Sequence, residues 1–486
     1  MSFSVLFRSV YSGLVRMTVA CGLFAFGISP LVSVAAEVEN MRVPQIYQTY
    51  CASCHGREHE GGLGGSLADG VWKHGDSDEE IFQSIKVGNV DLGMDPWEGV
   101  LSDEQIRGLV IYLREREQEF EFRERKFPTP SPDQVATTDR HNYRTEIVAD
   151  GLDIPWSIAF LPDGRYLIAE RPGPLRVIEA DGTVNEPVRR TPRVVHHGQG
   201  GMMEVALHPD FEENGWIYLA YSDGTDRRGN VSTMTTLARG RIVDNEWTDN
   251  EELWRADREF YTRSGLHFGT RIVFQDGYVF FVIGDRGGWH VSQDLSNPSG
   301  NVFRLHDDGR IPEDNPFVGR DDALPEIWSY GHRNPQGLAF DLRNGDLYST
   351  EHGPRGGDEF NHIQRGLNYG WPVVTHGMNY DGTPITEKTE APGMEPPVIE
   401  WTPSIAACGL AVCCGTAFPN WRHDFFAGGL ASQELRRLRV QDRQVVEEEI
   451  VVKGAGRIRD VRFGPTGNLY LVINDPHRVL RLLPAE

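Results

Sequence analysis

Trp156-Ser-Ile-Ala-Phe-Leu-Pro-Asp-Gly164, followed at once by Tyr166-Leu-Ile-Ala-Glu170, is a short apolar run, a turn and a second apolar run. The same phrase returns near the end of the chain as Val461-Arg-Phe-Gly-Pro-Thr-Gly467 and Leu469-Tyr-Leu-Val-Ile473. Related phrases open near Val205, Arg271, Gly337 and Ala411. Runs this short, punctuated by Gly, Pro and Asp, read as strands joined in hairpins. Six returns at intervals of roughly 45 to 75 residues match the blade repeat of a β-propeller with loop insertions. A pair of β-sandwiches explains the strands but not the recurrence. The reading predicts an all-β, six-bladed propeller over residues 144–486.

Upstream the pattern changes. Lys126-Phe-Pro-Thr-Pro-Ser-Pro-Asp133 reads as a stiff, extended spacer within a linker at 124–143. Residues 41–120 read instead as a small all-α domain. Pro44 to Tyr50 forms one helix and Asp78 to Val87 another. Ser102-Asp-Glu-Gln105 is a capping box that opens a third, running to about Glu119, with Ile106, Leu109, Val110 and Leu113 at helical spacing. The first helix leads into Cys51-Ala-Ser-Cys54-His55, the C-x-x-C-H pattern of covalent haem attachment. Two thiols one helical turn apart add to the porphyrin vinyl groups, and His55 then lies under the iron as an axial ligand. A zinc site needs a second ligand pair at short spacing, and none follows. A redox dithiol needs a βαβ context, and none is visible. Met94, in the Gly/Pro loop Val90-Asp-Leu-Gly-Met94-Asp-Pro-Trp97, is the expected sixth ligand, with His59 and His74 as alternatives. The module resembles a class I cytochrome c over its whole length.

The first residues fit export. Arg8 and Arg16 precede an apolar stretch from about Thr18 to Val34, and Ala35-Ala36 supplies a small-residue cleavage site, so residues 1–36 read as a signal peptide. A retained anchor ranks second, because Gly22, Gly27 and Pro30 interrupt the run. A lipobox at Cys21 ranks third. A periplasmic or secreted protein is expected, with no membrane span after signal removal. The formal charge of −23 over 486 residues repels nucleic acid and anionic lipid, which excludes a nucleic-acid partner. Of six cysteines, Cys21 leaves with the signal and Cys51 and Cys54 are committed to haem. Cys408, Cys413 and Cys414 permit one disulfide and one free thiol, or buried thiols, and their spacing does not choose.

Propeller ligands commonly bind at the central channel, on loops at one end. Four polar loops recur at blade edges. They are His196-His-Gly-Gln199-Gly-Gly201; Leu266-His267-Phe-Gly-Thr-Arg271 with Gly284-Asp285-Arg-Gly287; Ser329-Tyr-Gly-His332-Arg333-Asn334; and Glu351-His352-Gly-Pro-Arg-Gly-Gly-Asp358-Glu359. A histidine set between carboxylates and guanidinium groups suits proton abstraction from an alcohol.

From about Gly151 to Leu483 the chain resembles the soluble aldose (glucose/sorbosone-type) dehydrogenases that use pyrroloquinoline quinone (PQQ). The matching phrases are Gly198-Gln-Gly-Gly-Met-Met-Glu-Val-Ala-Leu-His-Pro-Asp-Phe211, Ser329-Tyr-Gly-His-Arg-Asn-Pro-Gln-Gly-Leu-Ala-Phe340, Asn368-Tyr-Gly-Trp-Pro372 and Arg457-Ile-Arg-Asp-Val461. The resemblance implies that His267 is the general base toward the sugar C1 hydroxyl and that Asp285 orients it. It implies that Arg333 polarises the quinone carbonyl, that Gln199 and Asn334 line the pocket, and that Arg457 and Arg459 clamp the cofactor carboxylates. The backbone carbonyls of Gly353 and Pro354 are implied to hold Ca²⁺. One position departs from the pattern, since Ala431 stands where family members commonly place a cofactor-contacting Lys. Losing such a contact costs roughly 2 to 4 kcal/mol unless another cation substitutes. The expected activity is oxidation of an aldose or related hydroxyl compound, with electrons passing from PQQ to the chain's own haem c and on to an external acceptor. The alternative is a non-catalytic or ligand-binding propeller whose haem serves a partner enzyme.

Overall fold

The computed structural model describes residues 41–122, 130–131, 133–227 and 229–486. The expected signal segment, with Cys21, and residues 123–129 of the spacer lie outside them.

Among the described residues the strands form six antiparallel sheets. The chain enters with β1 (Val135–Thr137) and β2 (Asn142–Asp150). Blade 1 follows as β3 (Pro155–Phe160), β4 (Tyr166–Glu170) and β5 (Leu175–Ile178). Blade 2 holds β6 (Met202–Leu207), β7 (Ile217–Arg227), β8 (Asn230–Val243) and β9 (Glu246–Arg255). Blade 3 holds β10 (Ile272–Gln275), β11 (Tyr278–Ile283), β12 (Asn301–His306) and β13 (Ile327–Tyr330). Blade 4 holds β14 (Pro335–Phe340), β15 (Leu347–Glu351), β16 (Asp358–Ile363) and β17 (Ile399–Trp401). Blade 5 holds β18 (Ala407–Val412), β19 (Phe425–Gly429), β20 (Glu434–Gln441) and β21 (Gln444–Lys453), and blade 6 holds β22 (Arg457–Phe463), β23 (Leu469–Asn474) and β24 (Arg478–Ala485).

Each of the six recurring phrases falls on the first strand of a blade, and those first strands neighbour one another around the centre. The ring closes where β2 pairs with β24, Asn142 opposite Ala485 and Asp150 opposite Arg478. β1 then adds outside β2. The propeller ladder therefore takes up residues within the stretch read as linker to 143. β1 is half-exposed and short, so it lacks the apolar run that marks a strand in sequence.

Burial follows position in the blade. β4 is buried at every residue, because both faces meet a neighbouring blade, whereas the outer β21 mostly alternates exposed and half-buried residues. The channel is plugged by charge. Arg271, 2% exposed, sends Nη1 to Glu204 at 2.7 Å and to Asp460 at 3.2 Å. Its Nε reaches the Gln336 carbonyl at 2.6 Å and its Nη2 the Arg459 carbonyl at 2.7 Å. A buried guanidinium is tolerated only when paired and hydrogen-bonded in this way. The network ties blades 2, 3, 4 and 6 beneath the site.

The small domain is helical. α1 (Val43–Ile46) runs through a wide turn, Tyr47–Cys51, into α2 (Ala52–His55), followed by α3 (Asp78–Val87) and α4 (Asp103–Phe122). The expected capping box forms, with Gln105 N donating to Ser102 Oγ at 3.2 Å and Ser102 N to Gln105 Oε1 at 3.0 Å. Ile106, Leu109, Val110 and Leu113 pack on Val43, Ile46, Tyr47, Ile81 and Ile85. Met378, from the propeller, enters the same core. Among the described residues no helix is long and apolar enough to cross a membrane.

Candidate active site

His267, Asp285 and Arg333 converge on one end of the channel. Gly284 explains how closely. A Cβ there would lie 2.5 Å from the His267 carbonyl oxygen, 2.8 Å from Asn334 Oδ1 and 3.0 Å from the Arg333 carbonyl oxygen. Asp285 N donates to the Arg333 carbonyl at 2.7 Å. The Asp285 side chain, fully buried, accepts from His267 Nδ1 at 2.6 Å, from Trp371 Nε1 at 2.8 Å and from Gly287 N at 2.7 Å. A carboxylate only accepts, so Nδ1 carries the ring proton and the Nε2 lone pair is free. Burial, with the charges of Arg333 and Arg286, pulls the His267 pKa below its usual value, against the opposing pull of Asp285. The ring is therefore neutral at neutral pH, which a general base requires.

The His267 backbone is held in the left-handed region, φ 49°. Such a conformation persists at a non-glycine residue where its surroundings over-determine it. Here His267 N donates to Gln199 Oε1 at 2.8 Å, and Gly269 N to Asn334 Oδ1 at 3.2 Å. Arg286 donates to the carbonyls of Leu266 at 2.6 Å and Ser264 at 2.9 Å. Gln199 and Asn334, expected as pocket-lining residues, thus carry the backbone of the base-bearing loop; the Asn334 amide also accepts from Gln336 Nε2 at 3.0 Å.

Arg333 lies 4% exposed, its Nη1 on the carbonyls of His352 at 3.0 Å and Gly353 at 2.6 Å, its Nε buried without a partner. The Gly353 loop is braced from behind, Gly353 N donating to Asp358 Oδ1 at 2.9 Å. Carbonyl oxygens with a spare lone pair suit a hard cation such as Ca²⁺.

Around Arg457 and Arg459, the expected clamp residues, the structure gathers further cationic and unpartnered groups. Arg459 is buried, stacks over Trp156 at 4.2 Å and reaches Gln336 Oε1 at 3.0 Å. Burial, reinforced by the like charges of Arg457, Arg271 and Arg171, brings it down to about 10, so it stays cationic at neutral pH. Arg457 stands at the rim, Nη1 on the Leu430 carbonyl at 3.3 Å, beside Ala431. Arg171, just after β4, has its Nε buried without a partner, and burial, with the charge of Arg457, pulls its pKa below the usual value. Trp156 Nε1 and His352 Nε2 are likewise buried and unpartnered. A cationic cluster with orphaned donors matches a planar polyanion bearing carboxylates. In sequence, His352 and Trp371 stood within a polar loop and a matching phrase but carried no assigned role, and Arg171 was not singled out.

Cys408, Cys413 and Cys414 are all free, so the permitted disulfide does not form. Just past the end of β18, Cys413 is buried in the core of blades 5 and 6 while Cys414 is exposed. Cys408 lies in the channel, its sulfur 3.4 Å from Arg459 Nη1.

At the haem motif Cys51 and Cys54 form no disulfide with each other. His55 Nδ1 bonds the Gly65 carbonyl at 2.9 Å, which leaves Nε2 for a metal. Gly64 packs against that ring; a Cβ would lie 2.6 Å from His55 Cε1. Met94 is half-buried against the same core as Cys51, in a loop closed by paired backbone bonds with Asn89 at 2.8 and 3.0 Å. Leu63, Val71, Val90 and Leu92, in the segments flanking His55 and Met94, stand 64–92% exposed, the apolar cover a porphyrin needs. Of the alternative ligands, His59 is stacked on Tyr47 at 4.1 Å and His74 is exposed against Asn89.

Comparison with known proteins agrees with this geometry. Residues 152–481 match the Glucose / Sorbosone dehydrogenase family, and residues 39–113 match Cytochrome C oxidase, cbb3-type, subunit III. The chain is 41% identical over 338 residues to the aldose sugar dehydrogenase YliI of Escherichia coli, covering 68% of this chain and 90% of that one. The apo-form structure of the soluble aldose sugar dehydrogenase of Escherichia coli aligns with TM-score 0.67 at 38% identity, over 71% of this chain and all (100%) of that one. The PQQ-bound aldose sugar dehydrogenase of Streptomyces coelicolor aligns with TM-score 0.58 at 25% identity, over 73% of this chain and 100% of that one. The chain belongs to the glucose/sorbosone dehydrogenase family, as an oxidoreductase that carries a cytochrome c domain ahead of its propeller.

Proposed function

We propose that the chain is a periplasmic quinoprotein that oxidises an aldose, or a related hydroxyl compound, with PQQ and Ca²⁺, and passes the electrons to its own haem c. When bound, the quinone accepts the hydride equivalent from the sugar carbon, and the haem takes electrons singly. His267 Nε2 takes the hydroxyl proton, and Asp285 stabilises the resulting imidazolium while Trp371 and Gly287 hold that carboxylate still. Arg333 lends positive charge where a carbonyl is to be polarised. Arg457, Arg459 and Arg171 hold the cofactor's carboxylates, and the Gly353 and Pro354 carbonyls take Ca²⁺. Cys51 and Cys54 would attach the haem, and His55 and Met94 would hold its iron. The signal-like residues 1–36 and the attachment motif both support export.

The single observation that carries this reading is the His267–Asp285 pair, 2.6 Å apart, facing a buried cationic cluster with unpartnered donors. In the test, PQQ, Ca²⁺ and a panel of aldoses are added to the purified haem-bearing protein. The haem spectrum is expected to turn ferrous with at least one sugar. An oxidised spectrum with every sugar, together with no saturable PQQ binding, overturns the proposal. Ala431 favours the rival, a ligand-binding propeller, because it removes a cation from the expected clamp. Saturable quinone binding decides between them.

A further inference from the structure

The loop that bears the two proposed calcium carbonyls extends beyond the active site. On one side Arg333 Nη1 holds the Gly353 carbonyl at 2.6 Å. Two residues on, Arg355 reaches the other way, into the haem domain. Its Nε donates to both oxygens of Glu115 on α4 at 2.7 Å, and its Nη2 donates to the same carboxylate. The guanidinium also lies 5.6 Å from the Tyr112 ring. The pair is largely shielded, with side chains 11% and 23% exposed.

The surroundings are shaped for this contact. Arg355 and Met378 exchange backbone hydrogen bonds at 3.1 and 3.0 Å, and the Met378 side chain is buried in the haem-domain core. Gly108 on α4 admits it: a Cβ there would lie 2.7 Å from Val43 Cγ2 and 3.3 Å from Met378 Sδ. Gly356 faces Ile111, where a Cβ would stand 3.3 Å from its Cδ1. Gly382 abuts Val43. Behind Tyr112, 5.7 Å from its ring, Tyr47 donates through its hydroxyl to the Gly56 carbonyl at 2.7 Å, the residue after His55. One packed path of side chains and hydrogen bonds runs from Arg333 to the residue beside the haem ligand.

We propose that this face is a built-in docking surface, on which α4 of the haem domain seats against residues 353–357 and 376–384, with Arg355 as the positioning residue that couples the dock to the calcium loop. Electrons then leave the quinone within the molecule. The inference rests on the function proposed above. Each aldose oxidised delivers two electrons and two protons to the quinone. The haem iron goes from ferric to ferrous with the first electron, passes it to an external one-electron acceptor, and then takes the second; both protons go to solvent.

The test uses the haem- and PQQ-loaded protein with Glu115→Gln, Glu115→Ala, and the charge swap Glu115→Arg with Arg355→Glu. Three quantities are read: haem reduction after aldose addition, reduction of a dye that oxidises the quinone directly, and hydrogen exchange of residues 353–357 and 376–384. Truncating a shielded, bidentate charge pair is expected to shift the docking equilibrium roughly tenfold or more. Glu115→Ala should slow haem reduction by a similar factor, raise exchange in both segments and leave the dye rate at the wild-type value. The charge swap should restore most of the haem rate. Wild-type haem reduction and wild-type exchange in Glu115→Ala would overturn the dock. Failure of the function itself reads differently, as a wild-type protein that does not bind PQQ; the exchange comparison in the haem-bearing protein then still decides whether the domains are docked.

Discussion

The imidazole of His267 is a base only while neutral, and the acid limb of activity reports its pKa. Burial and the guanidinium of Arg333 pull that pKa down from its ordinary value, while Asp285 pushes it up. The rate of quinone reduction by sugar should therefore rise with pH to a plateau, along an acid limb that lies below that of an ordinary imidazole. Asp285→Asn removes the raising influence and leaves the lowering ones. Its acid limb should move to still lower pH even as the plateau rate falls, because the ring loses its fixed tautomer. His267→Gln should cost about 10²- to 10⁴-fold in that rate, the usual worth of a positioned base, with PQQ affinity nearly unchanged. Stopped-flow absorbance across pH 5–8 measures the wild type and both variants. An acid limb that moves upward in Asp285→Asn would mean that another group titrates.

Arg171 provides a second test at the same scale. Its buried, unpartnered Nε and its place beside Arg457 make it the cation that offsets Ala431. Arg171→Ala should weaken PQQ binding by about 1.5 to 3 kcal/mol, the worth of a charged hydrogen bond, or roughly 10- to 150-fold. Adding Ala431→Lys to that variant should recover part of the loss. Fluorescence titration of the apo-protein checks both. An unchanged dissociation constant in Arg171→Ala would remove it from the cofactor site.

Elements bring these side chains together, and their glycines record how tightly. Gly284 ends β11 with the His267 carbonyl, Asn334 and the Arg333 carbonyl all within reach of a missing Cβ. Gly284→Ala should push the base-bearing loop away from the Arg333 loop. It should cost more in activity than in thermal midpoint, since the clash is confined to the site; circular dichroism melting beside the quinone-reduction rate separates the two. In sequence, the blades were legible because each first strand repeats an apolar run and a turn, as at Trp156–Gly164 and Val461–Gly467. The haem domain was legible because Ser102 and Gln105 cap each other locally. His267, Asp285 and Arg333 stood out only as polar residues at blade edges, and the resemblance assigned their roles. β1 was not legible: a half-exposed strand that adds outside the closing pair leaves no periodic trace. Arg171 was hidden for another reason. It lies almost 290 residues before Arg457 in the chain, and only closure of the ring brings the two charges within electrostatic reach of each other. Nor could spacing predict the fates of Cys413 and Cys414, which follow from the packing of the core between blades 5 and 6 just beyond β18.

At the scale of the whole molecule, two electrostatic regimes should separate. The contact between haem domain and propeller is short-ranged and shielded, built on Arg355–Glu115 and the buried Met378. The outer surface is a field of acidic charge, −23 over the chain, facing an external acceptor across water. Salt screens exposed charges beyond about 10 Å at 0.1 M ionic strength and beyond about 3 Å at 1 M, while shielded pairs are screened much less. Haem reduction by aldose should thus be almost flat with added salt. Reoxidation of the ferrous haem by a basic one-electron acceptor protein should be fast at low salt and fall steeply as salt rises, because steering accelerates encounter between opposite charges. An acidic acceptor should show the reverse slope. Measuring both half-reactions in one stopped-flow series assigns each its regime. If haem reduction instead speeds up with salt, as reoxidation by an acidic acceptor would, the two acidic domains meet by diffusion on the tether, and the acidic surface governs internal transfer as well.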